Sequence, residues 1–406
     1  MLKELERFAD SKGLTVNIAK SEVVNFNDRH VQPLPRFRYK GADLETKEEF
    51  KYLGMWFPEF HLVRRSEKQW AQNLLIASNS VLRKAASFGF RTRIDLVLRL
   101  FQTYALPLAL YGSQVWATSL LVPSKLLNND LQRRHSSFLK VVTGTRSGTP
   151  TRAILAELGQ HPLQYHWLKG VLTFWHDSLG GRSPLLHGAL HSDIKLSVQD
   201  GCTDNWSSEV RAALSSLGTT TTESTLLTKP NVGEVLDTWL HHYNSFWDHY
   251  QANTGGYQDP SVPNRPVRTY AQCFLPPQPT LHTDHHPPPS YLKQDTNHSL
   301  IRFRLGSHHL GVTLGRYSTP RQDYAARICT RCTMHRVDNE HHMIFDCPAL
   351  EQYRQPHPAA AFALHSVRSF STMGHVQRQF LSDAMNILSI RFFMMTPRGP
   401  VDLRFL

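Results

Sequence analysis

The apolar residues change period along the chain, and the changes outline its elements. Leu2, Leu5, Phe8 and Ala9 fall on one helical stripe, with Gly13 following as a C-cap. Two short strand-like runs come next, Leu14–Ile18 and Glu22–Phe26, joined through Ala19-Lys20-Ser21. A third, Arg36–Tyr39, is followed by Gly41 and then by Phe50–Phe57, so the pattern predicts a small antiparallel β unit. From Arg64 the period becomes helical. Trp70, Leu74, Ala77, Val81, Ala85 and Phe88 line one face, while Arg64, Lys68, Arg83 and Lys84 fall elsewhere. Helices are expected over Ile94–Tyr104, Leu106–Leu121 and Lys125–Val142, broken by Pro107 and Pro123, then over Thr151–Leu158 and His161–Leu179.

Beyond Gly180 the signal thins. Ser215–Thr228 is rich in Ser and Thr and reads as a loop. Val232–Tyr250 is a helix carrying Trp239, Tyr243, Phe246, Trp247 and Tyr250, a stripe suited to a core or a docking surface rather than to a cofactor. Gly255–Asn297 holds nine of the chain's 24 prolines, including Pro287-Pro288-Pro289 after His285-His286, and reads as a semi-extended linker without a core. The expected fold is α+β, mostly α: a β region over 1–60, a helical bundle over 61–180, a helical extension over 181–254, the linker over 255–298 and a small separate module over 299–406.

Charge narrows the partner. The 406 residues carry a formal net charge of +12. Residues 1–150 hold 23 Lys/Arg against 13 Asp/Glu, a net of +10, so the basic excess is concentrated in the first third. A polyanion is the expected partner, and nucleic acid fits better than a membrane, because no apolar run approaches the roughly 20 residues a span needs. Cys202 and Cys273 read as unpaired thiols and the first residues show no signal or transit peptide, which predicts an intracellular protein of the nucleus or cytoplasm.

The sharpest chemistry lies near the other end. Cys329, Cys332 and Cys347 fall within nineteen residues, and with His342 they make C-x2-C-x9-H-x4-C. A C-x-x-C turn places two thiolates on one ion, and a histidine with a third cysteine completes the tetrahedron that structural Zn²⁺ takes. A disulfide framework is disfavoured by the odd count of five cysteines, and a redox C-x-x-C motif by the lack of a βαβ pattern around it. His342 is the favoured fourth ligand, with His341 and His335 as alternatives.

Several segments together resemble one family. Gly13-Leu14-Thr15-Val16-Asn17-Ile18-Ala19-Lys20-Ser21-Glu22-Val23-Val24-Asn25-Phe26, followed by Phe50-Lys51-Tyr52-Leu53-Gly54, resembles the late palm of reverse transcriptases from non-LTR (LINE-like) retrotransposons. Leu106-Pro107 through Tyr111-Gly112-Ser113-Gln114-Val115-Trp116 is similar to that family's thumb, and Leu131-Gln132-Arg133-Arg134 and Ala156-Glu157-Leu158-Gly159 to its thumb and connection. Phe303-Arg304-Leu305-Gly306-Ser307-His308-His309-Leu310, leading into Cys329–Cys347 and on to Pro348 and Arg354, resembles its C-terminal zinc-binding segment. The likeness covers about residues 1–180 and 299–355.

The resemblance implies RNA and DNA as partners, with Lys20 beside the nucleotide phosphates in a complete relative. It implies backbone phosphate contacts by Lys68, Arg83, Lys84, Arg91, Arg93, Arg133 and Arg134, and further contacts by Arg331, His335 and Arg336 in a zinc-ordered module. A polymerase of this family also needs an Asp-Asp pair and a third carboxylate to hold Mg²⁺ for phosphoryl transfer. No Asp-Asp dipeptide occurs in this sequence, so no catalytic residue is assigned and the expected activity is nucleic-acid binding without polymerisation. Two alternatives remain: a fragment of an active reverse transcriptase, and a zinc-dependent protein that binds another protein through the 232–250 aromatic helix.

Overall fold

In a computed structural model, residues 2–26, 36–58, 62–181, 183–252, 298–340 and 342–351 are described. The predicted linker over 255–298, apart from His298, and the tail from residue 352 lie outside this set, as do His341, Cys273, His285, His286 and Arg354. Among the described residues the fold is mostly helical with three small two-stranded sheets, as the apolar pattern predicts for an α+β chain. The chain divides into two compact units.

The first unit contains Met1–Ile76, Pro107–Leu131 and Trp167–Pro230. Its β region differs from the expected hairpins. Leu14–Ile18 forms no strand; Ile18–Lys20 is a 3₁₀ turn, and Glu22–Val23 pairs in parallel with Glu45–Thr46. A run of so few alternating residues fixes neither the partner nor the direction of a strand. Arg38–Tyr39 and Ala42–Asp43 pair antiparallel, as do Glu49–Tyr52 and Met55–Pro58. The turn of this last hairpin is Leu53-Gly54, with φ of 47° and 85°. Two successive positive φ values give the primed turn whose twist matches a hairpin. The first helix, Leu2–Ser11, buries only Ala9 and leaves Leu5 and Phe8 exposed, so its apolar stripe is not core.

The segment beginning at Pro107 holds this unit together. Leu106–Leu110 and Ser113–Trp116 are short helices separated at Gly112. Tyr111 donates its hydroxyl to the Leu53 carbonyl at 2.7 Å and packs on Trp70 at 5.4 Å. Gly112 has φ of 64°, and a Cβ there would sit 2.5 Å from the Met55 sulfur. Glycine is therefore favoured by the left-handed backbone conformation, and a Cβ would in addition displace the flexible Met55 thioether. Trp116 and Trp167 meet edge to face and are fully buried. Four tryptophans, 116, 167, 175 and 206, each donate the indole N–H to a backbone carbonyl, at Tyr111, Ala109, Leu226 and Gln114. Trp116, Trp167 and Trp175 thus bury, and Trp206 half-buries, a large apolar ring without orphaning its one polar atom.

The thin signal after Gly180 conceals two helices. Pro184–Val198 starts on a Ser183 cap with proline at its first turn, and Trp206–Ser216 starts on an Asn205 capping box. The expected loop at Ser215–Thr228 contains a helical turn, Glu223–Leu226, capped by Thr222.

The second unit contains Ala77–Leu106, Gln132–His166 and the described residues from Asn231 onward. The long helix Leu62–Ser87 contributes residues to both units. Trp70, Leu74, Val81 and Ala85 are buried along its predicted face, but Phe88 lies past the helix end and is 73% exposed. Ile94–Tyr104 forms as predicted, with Phe101 stacked on Phe138 at 4.2 Å. Thr151–Glu157 also forms, and Asp130–Thr143 begins five residues later than predicted, after a 3₁₀ turn at Pro123–Lys125.

The aromatic helix Val232–Ala252 is core in this unit. Trp239 stacks on Tyr243 and packs on Tyr165, and Arg152 lies over the rings of Tyr243 and Phe246 at 4.5 and 4.3 Å. Burial, partly offset by Arg152, pushes the Tyr243 hydroxyl up to about 12.

Gly112→Ala is expected to cost about 2 kcal/mol or more, since it combines a left-handed β-carbon with a clash. Tyr111→Phe removes one hydrogen bond and is expected to cost about 1 kcal/mol. Urea unfolding midpoints check the order; equal effects would show that Gly112 is not conformationally required.

Candidate metal centre

Cys329 and Cys332 sit on a tight turn. Ile328 and Val337 form an antiparallel bridge, the Cys329 amide donates to the Arg336 carbonyl at 2.8 Å, and His335 closes the turn with φ of 51°. His342–Asp346 is a single wide turn in which the Cys347 amide donates to the His342 carbonyl at 2.8 Å. Asn339 starts that turn: its side-chain oxygen accepts from the His342 amide at 2.8 Å. Four ligand atoms, on Cys329, Cys332, His342 and Cys347, consequently lie within 4.8 Å of one another. His335 is exposed and stands outside this cluster.

Burial keeps the cluster neutral in the absence of a cation. Cys329, His342 and Cys347 are buried, and Cys332 faces His342 Nε2 at 3.3 Å. Burial first, then the neighbouring Cys329 and Cys332, pushes the Cys347 thiol up to about 11. Burial likewise holds the His342 imidazole below its ordinary value, offset in part by Asp346 and Asp338, which favours the neutral form a metal ion requires. The donor set therefore fits a single thiophilic cation.

Polar side chains brace the turns. Asp338 pairs with Arg331 and accepts from the Gly311 amide at 2.7 Å, while Arg336 pairs with Asp346 at 3.1 Å. Arg327 is buried and donates to the Val312 and Gln322 carbonyls. His308 and Glu340 form a buried pair at 2.9 Å. Burial alone would raise Glu340, but the hydrogen bond and charge of His308 outweigh it and hold the carboxyl below its ordinary value.

Sequence reasoning missed the link between this centre and the helices of its own unit. Arg304, near the end of His298–Arg304, donates to both carboxylate oxygens of Glu157 at 2.6 and 3.0 Å. Glu157 is fully buried. Nothing in the local pattern could have joined two residues so far apart, although each belongs to a segment quoted above for its resemblance. Nearby, the Arg146 amide donates to Ser307 Oγ at 2.8 Å.

The predicted phosphate-contacting residues are dispersed. Lys20 is exposed beside a cleft of about 600 Å³ that also includes Glu22, Glu48, Glu49, Lys47 and Lys51, a lining of mixed sign. Lys68, Arg83, Lys84, Arg91, Arg133 and Arg134 are exposed. Arg93 is half-buried and makes two 3.0 Å hydrogen bonds to Asp95. Arg331 and Arg336 carry the acidic partners named above.

No protein-family model matches the chain, and no curated protein or solved structure matches it. No helix among the described residues is long and apolar enough to cross a membrane.

Glu157→Ala leaves a half-buried guanidinium without its counter-charge and is expected to cost about 3–5 kcal/mol. The double variant Glu157→Leu/Arg304→Met should recover most of that loss. Denaturant unfolding of single and double variants decides; a double variant no better than Glu157→Ala would show that the pair contributes through shape alone.

Proposed function

We propose that the chain is a zinc-ordered nucleic-acid-binding protein, equivalent to the thumb, connection and C-terminal zinc segment of a non-LTR reverse transcriptase. The observation that carries this reading is the convergence of Cys329, Cys332, His342 and Cys347 on one point. Zn–S bonds of about 2.3 Å and Zn–N bonds of about 2.0–2.1 Å put tetrahedral donor atoms roughly 3.5–3.8 Å apart. The 3.3 Å between Cys332 Sγ and His342 Nε2 and the 4.8 Å limit of the cluster bracket that range. Zinc here is structural, since four protein donors leave no open position for a substrate.

Support for the nucleic-acid partner is electrostatic. The second unit exposes Arg83, Lys84, Arg91, Arg133 and Arg134 on the ends and faces of its helices. Such side chains hold phosphates and carry little sequence information. The protein-docking alternative is weakened, because Trp239, Leu240 and Trp247 of the aromatic helix are buried within the unit.

Binding to duplex DNA should fall steeply with salt, the slope of log K against log salt being about −0.9 for each phosphate neutralised. Reversing Arg83, Lys84, Arg133 and Arg134 to Glu together should flatten the slope by several phosphates' worth. Salt-independent affinity, or an unchanged slope in the quadruple variant, would sink the assignment.

A further inference from the structure

The helix His298–Arg304 carries two arginines with opposite fates. Arg304 is neutralised by Glu157. Arg302 is half-buried, its Nε is buried without a hydrogen-bond partner, and it takes part in no ion pair among the described residues. Packing, not charge, holds it in place. Its neighbours Ile301 and Phe303 are fully buried, and its guanidinium lies against Gly144, where a Cβ would come within 2.5 Å of Nη2 and 3.1 Å of Nε. Gly144 has φ of 64° and directly follows the helix Asp130–Thr143. A glycine at that helix end thus serves both the left-handed turn and the approach of the guanidinium.

Arg302 borders a cavity of about 300 Å³. Arg91, Thr92 and His298 also line it, over an apolar floor that includes Leu82 and Val97. The lining contains two guanidiniums, an imidazole and a hydroxyl, and no carboxylate. Burial first, and then the charges of Arg302 and Arg91, hold the His298 imidazole below its ordinary value, against the opposing effect of the backbone at Thr143 and Thr92. A buried cation without a partner is disfavoured, and an entering anion removes the penalty. We propose that the Arg91–His298–Arg302 cavity is a binding site for a phosphate monoester.

The chemistry selects phosphate over a carboxylate. The Arg91 and Arg302 guanidiniums each present a fork of N–H donors, together more than the two oxygens of a carboxylate can accept. The volume suits a phosphate with an attached sugar or nucleoside and excludes a duplex. Two sources share this chemistry: a free nucleotide, and the terminal phosphate of a nucleic-acid strand. Arg91 is shared with the proposed duplex-binding surface, whereas Arg302 belongs to the cavity alone, so Arg302→Met tests the cavity separately.

The test is calorimetric titration of the full-length protein with inorganic phosphate, with AMP, and with one short single strand bearing either a 5′-phosphate or a 5′-hydroxyl. AMP or the 5′-phosphorylated strand should bind at one site per chain. Arg302→Met should weaken that binding by at least about tenfold, the worth of a lost charge-assisted hydrogen bond. Arg91→Gln should weaken it as well. In phosphate-free buffer Arg302→Met should melt no lower than the wild type, because it keeps the packing and removes an uncompensated charge; if it does not fold, Arg91→Gln carries the test. Preference for the 5′-phosphate strand over AMP assigns the strand end, and equal affinity assigns the free nucleotide. Absence of saturable binding by any phosphate ligand, acetate binding as tightly as phosphate, or wild-type affinity in both variants would overturn the proposal. Duplex binding measured on the same protein separates this outcome from failure of the functional reading.

Discussion

Three thiols and an imidazole drawn together in a buried space are the constraint on which the last part of the structure depends. Cys347 is fully buried and its thiol is pushed far from ionising by burial and by the other two cysteines. A cation at the common point would reverse this, stabilising the thiolates and adding a second tie between two turns that the Arg336–Asp346 pair already links. Among the described residues, the chain between Leu310 and Leu350 has short helical turns, one isolated bridge and few buried apolar side chains. Metal binding in such a segment is folding free energy, on the order of 10–16 kcal/mol for structural zinc in small fingers.

The segment that carries the Cys329–Cys332–His342–Cys347 cluster is not free-standing. The Glu157–Arg304 pair, with Phe303 and Ile301 beside it, joins it to the helices of the second unit. Taking both charges out of water is itself expensive, and the bidentate geometry only offsets that cost. What the pair supplies is register: a carboxylate of zero exposure accepts a guanidinium fork in one orientation. The same short helix then presents Arg302 to the other side, over Gly144. One element of seven residues thereby serves both an ion pair and a cationic cavity.

The sequence made some of this legible. Ile94–Tyr104 could be read to the residue because its apolar period is strong, and the ligand spacing of the cysteines was readable because a two-residue gap fits one ion. Asn339, three residues before His342, was a readable helix-start signal, as were Ser183-Pro184 and Asn205. The helix Pro184–Val198 was missed because Leu185 and Leu196 point outward and blur its period. The β region was misread because paired runs of two residues leave no alternation to follow. The buried ion pair was out of reach for another reason: contact between residues 147 apart is a property of packing, not of any local pattern.

Amide hydrogen exchange on the zinc-loaded protein, before and after chelation, tests the central claim directly. Slow exchange across residues 310–350 in the loaded protein, collapsing to that of an unstructured chain on chelation while Ile94–Tyr104 and Asp130–Thr143 stay protected, is the predicted result. Protection across 310–350 that is unchanged by complete removal of the metal would contradict it.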